Sequence, residues 1–142
     1  MKNKQVGFEI RTLSNLIHRR INQMVAEEEE TLTASQAWVL KFLVRQGENQ
    51  VVQRDIEAEF SIRRSTASHM LTLMENNGYI KRVSVPQDAR LKRIVLTEKG
   101  CQAHERMTDR LERFESMMRE KITDQELEVF LGILTRFEEN IR

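Results

Sequence analysis

Residues 61–100 read SIRRSTASHMLTLMENNGYIKRVSVPQDARLKRIVLTEKG, and this stretch determines the fold that we predict for the chain. Its first half places apolar residues at helical spacing, at Ala67, Met70, Leu71 and Met74. This spacing predicts a helix whose apolar face is turned inward. Ser61 is a favourable N-cap for that helix, and the Asn-Asn-Gly segment at 76–78 is a favourable end.

The second half of the stretch changes to a β pattern. Residues 80–85 and 91–97 are rich in β-branched side chains, and the segment 86–90 between them, which starts with Pro86, is typical of a turn. We therefore predict a two-stranded hairpin. A hairpin of two strands is marginally stable by itself, so this one must pack against the helices.

Upstream of this stretch the patterns predict three helices. An apolar stripe from Val6 to Met24 predicts a first helix of roughly 20 residues or more. Thr33 and Gln36 have the spacing of a capping box, which starts a second helix that stops at Gly47. A short helix follows, from about residue 52 to residue 60.

Downstream, two more helices complete the pattern. Thr97 is the predicted cap of a long helix, and Thr123 with Glu126 forms a second capping box for the last one. The order is then helix, helix, short helix, helix, hairpin, helix, helix. This order predicts a mainly α fold with a two-stranded β wing: a winged helix-turn-helix lobe flanked by N- and C-terminal helices.

Composition limits the class of protein. The 142 residues are 39% hydrophobic and 32% charged with a net charge of +1, which suits one folded domain and excludes a disordered chain. Apolar runs are short, and Glu9 and Arg11 interrupt the segment after the basic start at 1–4, so we expect a cytoplasmic protein without a membrane partner. The single cysteine, Cys101, excludes a multi-thiolate zinc site, and we expect no metal and no cofactor.

Charge is unevenly distributed along the chain. Residues 61–99 carry eight basic and three acidic side chains, whereas residues 1–60 and 100–142 have net charges of −1 and −3. A local basic patch is typical of a surface that binds a polyanion, the alternative being an ordinary solvated surface. The acidic run at 27–30 is interpreted as a solvated surface rather than a metal site.

The predicted helix at 61–76 carries the side chains that a DNA recognition helix requires. Its arginines suit a guanine edge or a phosphate at the helix N-terminus. Its short hydroxyl side chains allow close approach to the major groove, and its histidine can bond a base edge or a phosphate. The candidate DNA contacts are Arg63, Arg64, Ser65, Thr66, Ser68 and His69.

The hairpin tip adds two cations and one carboxylate. Arg90 is a long cation on a projecting loop and suits a narrow minor groove, where the potential is most negative. Lys92 is a second candidate contact on the same hairpin. Asp88 is interpreted as a support that holds the Arg90 guanidinium, and the alternative is an ordinary surface ion pair of little energetic value.

These residues also carry a family resemblance. The hairpin resembles the wing signature of MarR-type transcriptional regulators. The residues that match are Asp88-Ala89-Arg90, followed by Ile94-Val95-Leu96-Thr97 and Gly100. Two further parts of the chain are similar to that family. They are the recognition helix, at 65–74, and the segment that leads into the wing, with Gly78-Tyr79-Ile80 and Arg82. The resemblance covers nearly the whole chain. In one departure, Ser68-His69 stands where the family often has Thr-Arg, so a half-site preference does not carry over.

The resemblance implies a homodimer on a near-palindromic operator of double-stranded DNA. Residues 1–142 would form one domain, with dimerisation helices at 1–30 and 100–142 and a DNA-binding lobe at 31–99. The first helix and the last two also have more apolar surface than a small winged-helix lobe needs, which independently favours a partner.

The resemblance further implies a repressor that a small aromatic or anionic effector releases from DNA. The candidate pocket residues are His18, Arg19, Trp38 and Phe42, with a core or surface role as the alternative for each. A redox-responsive regulator through Cys101 is a second mechanism, although Glu98 lies near and no second cysteine is present to resolve a sulfenic acid.

Two other classes of function compete with a DNA-binding regulator. One is a helical protein–protein interaction module whose basic patch docks an acidic partner. The other is an enzyme, which the sequence disfavours because it has no Gly-rich phosphate loop, nucleophile elbow or paired-histidine motif. We therefore expect a transcription regulator without catalytic activity.

Overall fold

The computed structural model describes residues 4–29 and 31–142, so residues 1–3 of the basic start and Glu30 of the acidic run lie outside the described residues. The described residues confirm the predicted mainly α fold with a two-stranded wing. They form two compact units, one up to Arg110 and one from Leu111 to Arg142. The elements are α1 (Val6–Ala26), α2 (Ala34–Gln46), α3 (Gln53–Phe60), α4 (Arg64–Asn76), β1 (Ile80–Val85), β2 (Asp88–Leu96), α5 (Glu98–Met118) and α6 (Asp124–Ile141).

Local capping explains where α2 and α3 begin and where α2 ends. The Thr33 hydroxyl accepts from the Gln36 N–H, and the Gln36 side chain accepts from the Thr33 N–H, each at 3.3 Å, which confirms the predicted capping box. Gly47 ends α2 with a φ of +57°, a conformation that glycine adopts at little cost. The Asp55 carboxylate accepts from the Val52 N–H at 2.9 Å and so closes the first turn of α3.

The predicted role of Ser61 is wrong. Ser61 ends α3 in a left-handed conformation with a φ of +49°, and α4 begins three residues later with Arg63 in the N-cap position. The Ser61 and Ile62 N–H groups donate back to carbonyls of α3, which fixes this turn as the end of the preceding helix. The other end of α4 is as predicted, since Asn77 and Gly78 follow its last residue.

The wing is tighter than the sequence predicted. β1 and β2 pair antiparallel from Ile80 opposite Leu96 to Val85 opposite Asp88, which leaves two residues, Pro86 and Gln87, in the turn. The segment 88–90, predicted as part of the turn, therefore belongs to β2. A register shift between Ser84 and Val85 accommodates the tight connection.

The core of the first unit anchors α4 and the base of the hairpin. Leu40 of α2, Ile56 of α3 and Leu71 of α4 are fully buried. The fully buried Tyr79 follows α4 and places its hydroxyl 2.7 Å from the Thr31 hydroxyl. Since α4 and β1 join at Tyr79, this packing fixes the angle at which the chain leaves α4.

The described part of the acidic run, residues 27–29, lies at the surface, as predicted, and also forms ion pairs with α5. Glu27 and Glu28 both contact the guanidinium of Arg110, with Glu28 at 2.6 Å. Glu29 accepts from the Tyr79 hydroxyl at 3.1 Å and also pairs with Arg106. These contacts connect the end of α1 to α5 across about eighty positions of sequence, a separation that local patterns do not show.

The second unit contains the end of α5 and the whole of α6. Thr123 and Glu126 form the predicted capping box, with hydrogen bonds of 3.0 and 3.1 Å between each side chain and the other's N–H. Within this described unit, no residue of α6 is buried. Large apolar side chains of the unit are exposed instead: Met117, Met118, Ile122, Val129, Phe130, Leu131, Phe137 and Ile141.

Among the described residues, no helix combines the length and the apolar character that crossing a membrane requires.

Candidate nucleic-acid interface

Helix α4 presents one face to the core and the other to solvent. Ala67, Leu71 and Met74 are buried, which fixes the helix against the lobe. The Arg63 side chain makes no capping hydrogen bond, so no side chain of this N-cap occupies the first-turn amides. Among the predicted contacts, Ser68 is half-buried, while the solvent-exposed ones are Arg63, Arg64, Ser65, Thr66 and His69.

One groove lies between α3, the start of α4 and the hairpin, and we call it the wing groove. Its volume is about 450 Å³. Three predicted DNA contacts, Arg64, Arg90 and Lys92, line it together. The remaining lining residues are Val52, Gln53, Arg54, Glu57, Arg82, Leu91 and Ile94.

A second groove lies on the other side of α4, against the start of α2. Its volume is about 440 Å³, and it contains the predicted contacts Ser65, Thr66 and His69. It has no charged side chain in its lining, which is completed by Thr33, Ser35, Gln36, Met70 and Leu73. The structure thus divides six of the eight predicted DNA contacts into a cationic set and a neutral, hydroxyl-rich set on the two sides of one helix, while Arg63 and Ser68 line neither groove.

An ion pair connects the recognition helix to the wing. Glu75 of α4 accepts from Arg82 of β1 three times, from the backbone N–H at 3.0 Å, from Nε at 3.3 Å and from Nη2 at 3.1 Å. Arg82 Nη2 also donates to the Thr72 hydroxyl at 3.1 Å. The hydrogen bond with the Arg82 side chain lowers the pKa of Glu75, so the pair stays charged at neutral pH. This geometry fixes the wing relative to α4.

The wing tip has the contact that the sequence predicted. The Asp88 carboxylate accepts from the Arg90 N–H at 2.9 Å, and its Oδ1 lies 3.6 Å from Arg90 Nε. The Arg90 side chain is 95% exposed, so it projects into solvent with its base held by Asp88. Lys92 is exposed two residues further along the same strand.

The predicted effector-pocket residues are only partly brought together. The His18 and Trp38 rings meet edge to face with their centroids 5.3 Å apart. Phe42, one turn further along α2, packs on Phe60 with centroids 6.0 Å apart. Arg19 is exposed on α1. The rings of both pairs are partly buried.

Cys101 is exposed at the start of α5. The described residues include no group of three or more His, Cys, Asp or Glu side chains placed to hold a metal ion.

Sequence reasoning missed two cations of the wing groove. Arg54 lies in the first turn of α3, in a part of the chain whose net charge is negative and therefore hides it. Arg82 was noted only as part of the entry to the wing, and its link to Glu75 depends on how α4 packs on β1. For Arg54, the available signal was its place in the short helix that precedes the recognition helix.

Comparison with known proteins gives consistent matches. The model of the MarR family matches residues 30–91. The S. aureus MepR–DNA complex shares the fold with a TM-score of 0.88 and 23% identity, over 98% of this chain and all of that chain. MarR from Oenococcus oeni PSU-1 is 29% identical with a TM-score of 0.80, over 95% of this chain and 99% of that chain.

A third solved structure matches over the full length of both chains. PcaV from Streptomyces coelicolor, solved in complex with its natural ligand, is 26% identical with a TM-score of 0.84. These matches confirm the resemblance that the wing motif indicated. Residues 30–91 therefore match the MarR family, and the whole chain has the fold of solved MarR-type transcription regulators.

Proposed function

We propose that the protein is a homodimeric, cytoplasmic repressor that binds a near-palindromic operator of double-stranded DNA. The observation that carries this proposal is the division of exposed donor side chains around α4, with the cationic wing groove on one side and the neutral groove on the other. A helix with donors on both flanks suits the major groove, where phosphates lie on both sides and base edges lie between. The MepR structure that shares this fold was solved with DNA.

Selection from random duplex DNA with the purified protein tests the proposal. The expected result is a two-fold symmetric consensus whose half-sites lie about one helical turn, ~34 Å, apart. Binding that falls steeply with salt while the selected site keeps its advantage over random DNA supports sequence recognition. Equal affinity for every duplex, or preference for an acidic protein, supports the interaction-module alternative instead.

Ser68 and His69 are proposed to set the sequence preference. Ser68→Ala or His69→Ala is expected to change the ranking of operator variants, because each removes one group able to bond a base edge. The checking measurement is the affinity of each variant protein for a panel of single-base operator variants. An equal loss of affinity on every duplex would mean that these side chains contact the backbone rather than bases.

The exposed apolar side chains support a homodimer through the terminal helices. On α1, Val6, Phe8 and Leu13 are 45–65% exposed, and on α6, Phe130 and Leu131 are about half exposed. Leaving so many large apolar side chains in water is unfavourable, and a second copy of the same surface would cover them. Dimerisation by the segments 1–30 and 100–142 is thus a proposal that the described parts of both segments favour.

Phe130→Asp is expected to convert the dimer to a monomer, because a carboxylate would be buried in an apolar interface without a partner. Light scattering coupled to gel filtration measures the change directly. Glu128→Ala is the matched control, since Glu128 is an exposed polar residue of the same helix. Wild-type protein that is monomeric at working concentration would refute the dimer.

We further propose that a small aromatic or anionic effector releases the protein from DNA. PcaV, which matches this chain over its full length, was solved with a ligand of its own. In this chain the half-exposed His18–Trp38 pair offers aromatic edges to an aromatic ligand, with Arg19 and Phe42 as the other candidates. Such a ligand acts only if it binds one conformation of the dimer better than the other. Oxidation of the exposed Cys101 is the alternative trigger.

A further inference from the structure

We infer that Glu29 and Tyr79 are positioning residues, and that the hydrogen bond between them sets the half-site spacing that the protein accepts in its operator. The inference rests on the proposed function, because it requires a dimer and a two-fold symmetric site. It adds two residues that lie outside the predicted DNA contacts. We call the set of Glu29, Thr31, Tyr79 and Arg106 the Tyr79 junction.

The first argument is the complete hydrogen bonding of a buried phenol. Tyr79 is fully buried, and its hydroxyl donates to Glu29 Oε2 at 3.1 Å. The same hydroxyl lies 2.7 Å from Thr31 Oγ1. A phenol has one proton, so the Thr31 hydroxyl is the donor in this second bond. A buried hydroxyl without partners is costly, and Tyr79 therefore holds the end of α1 and the segment after it in place.

The second argument is that one carboxylate connects three elements. Glu29 accepts from Tyr79 through Oε2, and its Oε1 pairs with Arg106 of α5. The Glu29 side chain is only 12% exposed. Bonds to an ionised group are stronger than neutral ones, and removal from water strengthens them further. Glu29 thus joins the end of α1, the start of the wing and α5 at one point.

The third argument is the position of Tyr79 between the two elements that are predicted to contact DNA. Its N–H donates to the Met74 carbonyl of α4 at 3.0 Å, and its carbonyl accepts from the Thr97 N–H, just after β2, at 3.2 Å. The Lys99 ammonium of α5 lies 4.6 Å from the centre of its ring. A displacement of Tyr79 would therefore move α4 and the hairpin together relative to α1 and α5.

This arrangement has a consequence for the operator. In a dimer held together by α1 and α5, the angle of each lobe on these helices determines the separation of the two copies of α4. A spacer that is one base pair longer moves a half-site by about 3.4 Å along the DNA axis and by about 35° around it. A lobe that is fixed at the Tyr79 junction rejects such a displacement, whereas a lobe released from it follows the DNA.

Tyr79→Phe tests the inference because it removes the hydroxyl and keeps the buried ring. Affinity is measured for the selected operator and for two versions whose spacer is one base pair longer or shorter. Wild-type protein is expected to prefer the selected spacing. In Tyr79→Phe this preference should fall by about fivefold, an effect within the range of one hydrogen bond to a carboxylate. A role in stability alone would instead lower all three affinities by the same factor.

Glu29→Ala approaches the same hydrogen bond from its other end. It should reduce the spacing preference at least as much as Tyr79→Phe, and the double variant should reduce it no further than Glu29→Ala alone, because both changes break one bond. Glu115→Ala is the matched control, since it removes the same charge and breaks an ion pair with Arg119 that lies within α5. This control should keep the preference within about twofold of wild type.

Three results would overturn the inference. They are a spacing preference that Tyr79→Phe leaves unchanged, an equal loss of affinity on all three duplexes, and additive effects in the double variant. Wild-type protein that binds no duplex would instead refute the proposed function, so the two failures are distinguishable. Thermal unfolding and gel filtration check the fold and the dimer of each variant. Glu29→Ala leaves the core unchanged, so it gives the same readout if Tyr79→Phe does not fold.

Discussion

Replacing Gly100 with alanine is expected to destabilise the protein by about 3 kcal/mol, which lowers the melting temperature by about 10 °C in a chain of this size. A Cβ atom at Gly100 would lie 2.2 Å from the carbonyl oxygen of Tyr79 and 3.2 Å from Leu96 Cδ2. The first distance is far below van der Waals contact, and a backbone oxygen cannot rotate away as a flexible side chain can. The start of α5 and the base of the wing must therefore separate.

The atoms around this contact are also tied together. The Tyr79 carbonyl accepts from the Thr97 N–H at 3.2 Å, and the Thr97 hydroxyl donates to the Gly78 carbonyl while it accepts from the Gly100 N–H at 3.0 Å. A shift of Gly100 strains this whole set of hydrogen bonds. The intrinsic preference of a helix for alanine over glycine, about 1 kcal/mol, is too small to compensate.

Circular dichroism melts at one protein concentration measure the effect, since the stability of a dimer depends on concentration. Gly132→Ala in α6 is the control, because its added Cβ meets nothing within 4 Å in the protomer; gel filtration checks that this variant is still a dimer, since α6 is a proposed dimerisation helix. This control should melt within a few degrees of wild type. A Gly100→Ala protein that melts together with wild type would contradict the steric argument.

The features that the sequence predicted correctly are those that depend on neighbouring residues. Thr33 and Gln36 lie three positions apart, and their capping box needs no other part of the chain. The end of α4 at 76–78 and the apolar face of α4 follow from the same local rules. The motif at 88–100 indicated a MarR-type transcription regulator, and the match of the MarR family model to residues 30–91 agrees with that prediction.

The features that were not predicted from the sequence depend on distant residues, or on a residue that could either end one helix or begin the next. Ser61 has a side chain that is typical of an N-cap. In the structure it is instead the C-cap of α3, in a left-handed conformation, so it does not start α4. Glu29 pairs with Arg106, 77 positions away, so nothing near the acidic run indicates its partner. Arg54 joins the wing groove only because α3 packs beside the hairpin.

Arg90→Ala is expected to weaken binding to the selected operator by about tenfold to a hundredfold, the usual range for one lost arginine contact, while leaving the fold intact. The side chain is 95% exposed, so its removal costs no packing. A guanidinium on a projecting hairpin suits a narrow minor groove, where the negative potential is strongest and where a weakly hydrated cation enters most readily. Fluorescence anisotropy with the operator duplex gives the affinity, and Arg90→Lys should recover only part of the loss because ammonium is more strongly hydrated.

Asp88 provides the sharper test of this mechanism, because its charge alone opposes DNA binding. In Asp88→Asn the amide oxygen can still accept from the Arg90 N–H, so the hairpin geometry is retained while the attraction to the guanidinium is lost. If Asp88 orients Arg90, Asp88→Asn weakens binding in the wild-type background and has no weakening effect once Arg90 is alanine. If Asp88→Asn instead strengthens binding in both backgrounds, the carboxylate only repels phosphate. Affinity that is unchanged in Arg90→Ala would remove the wing tip from the DNA interface altogether.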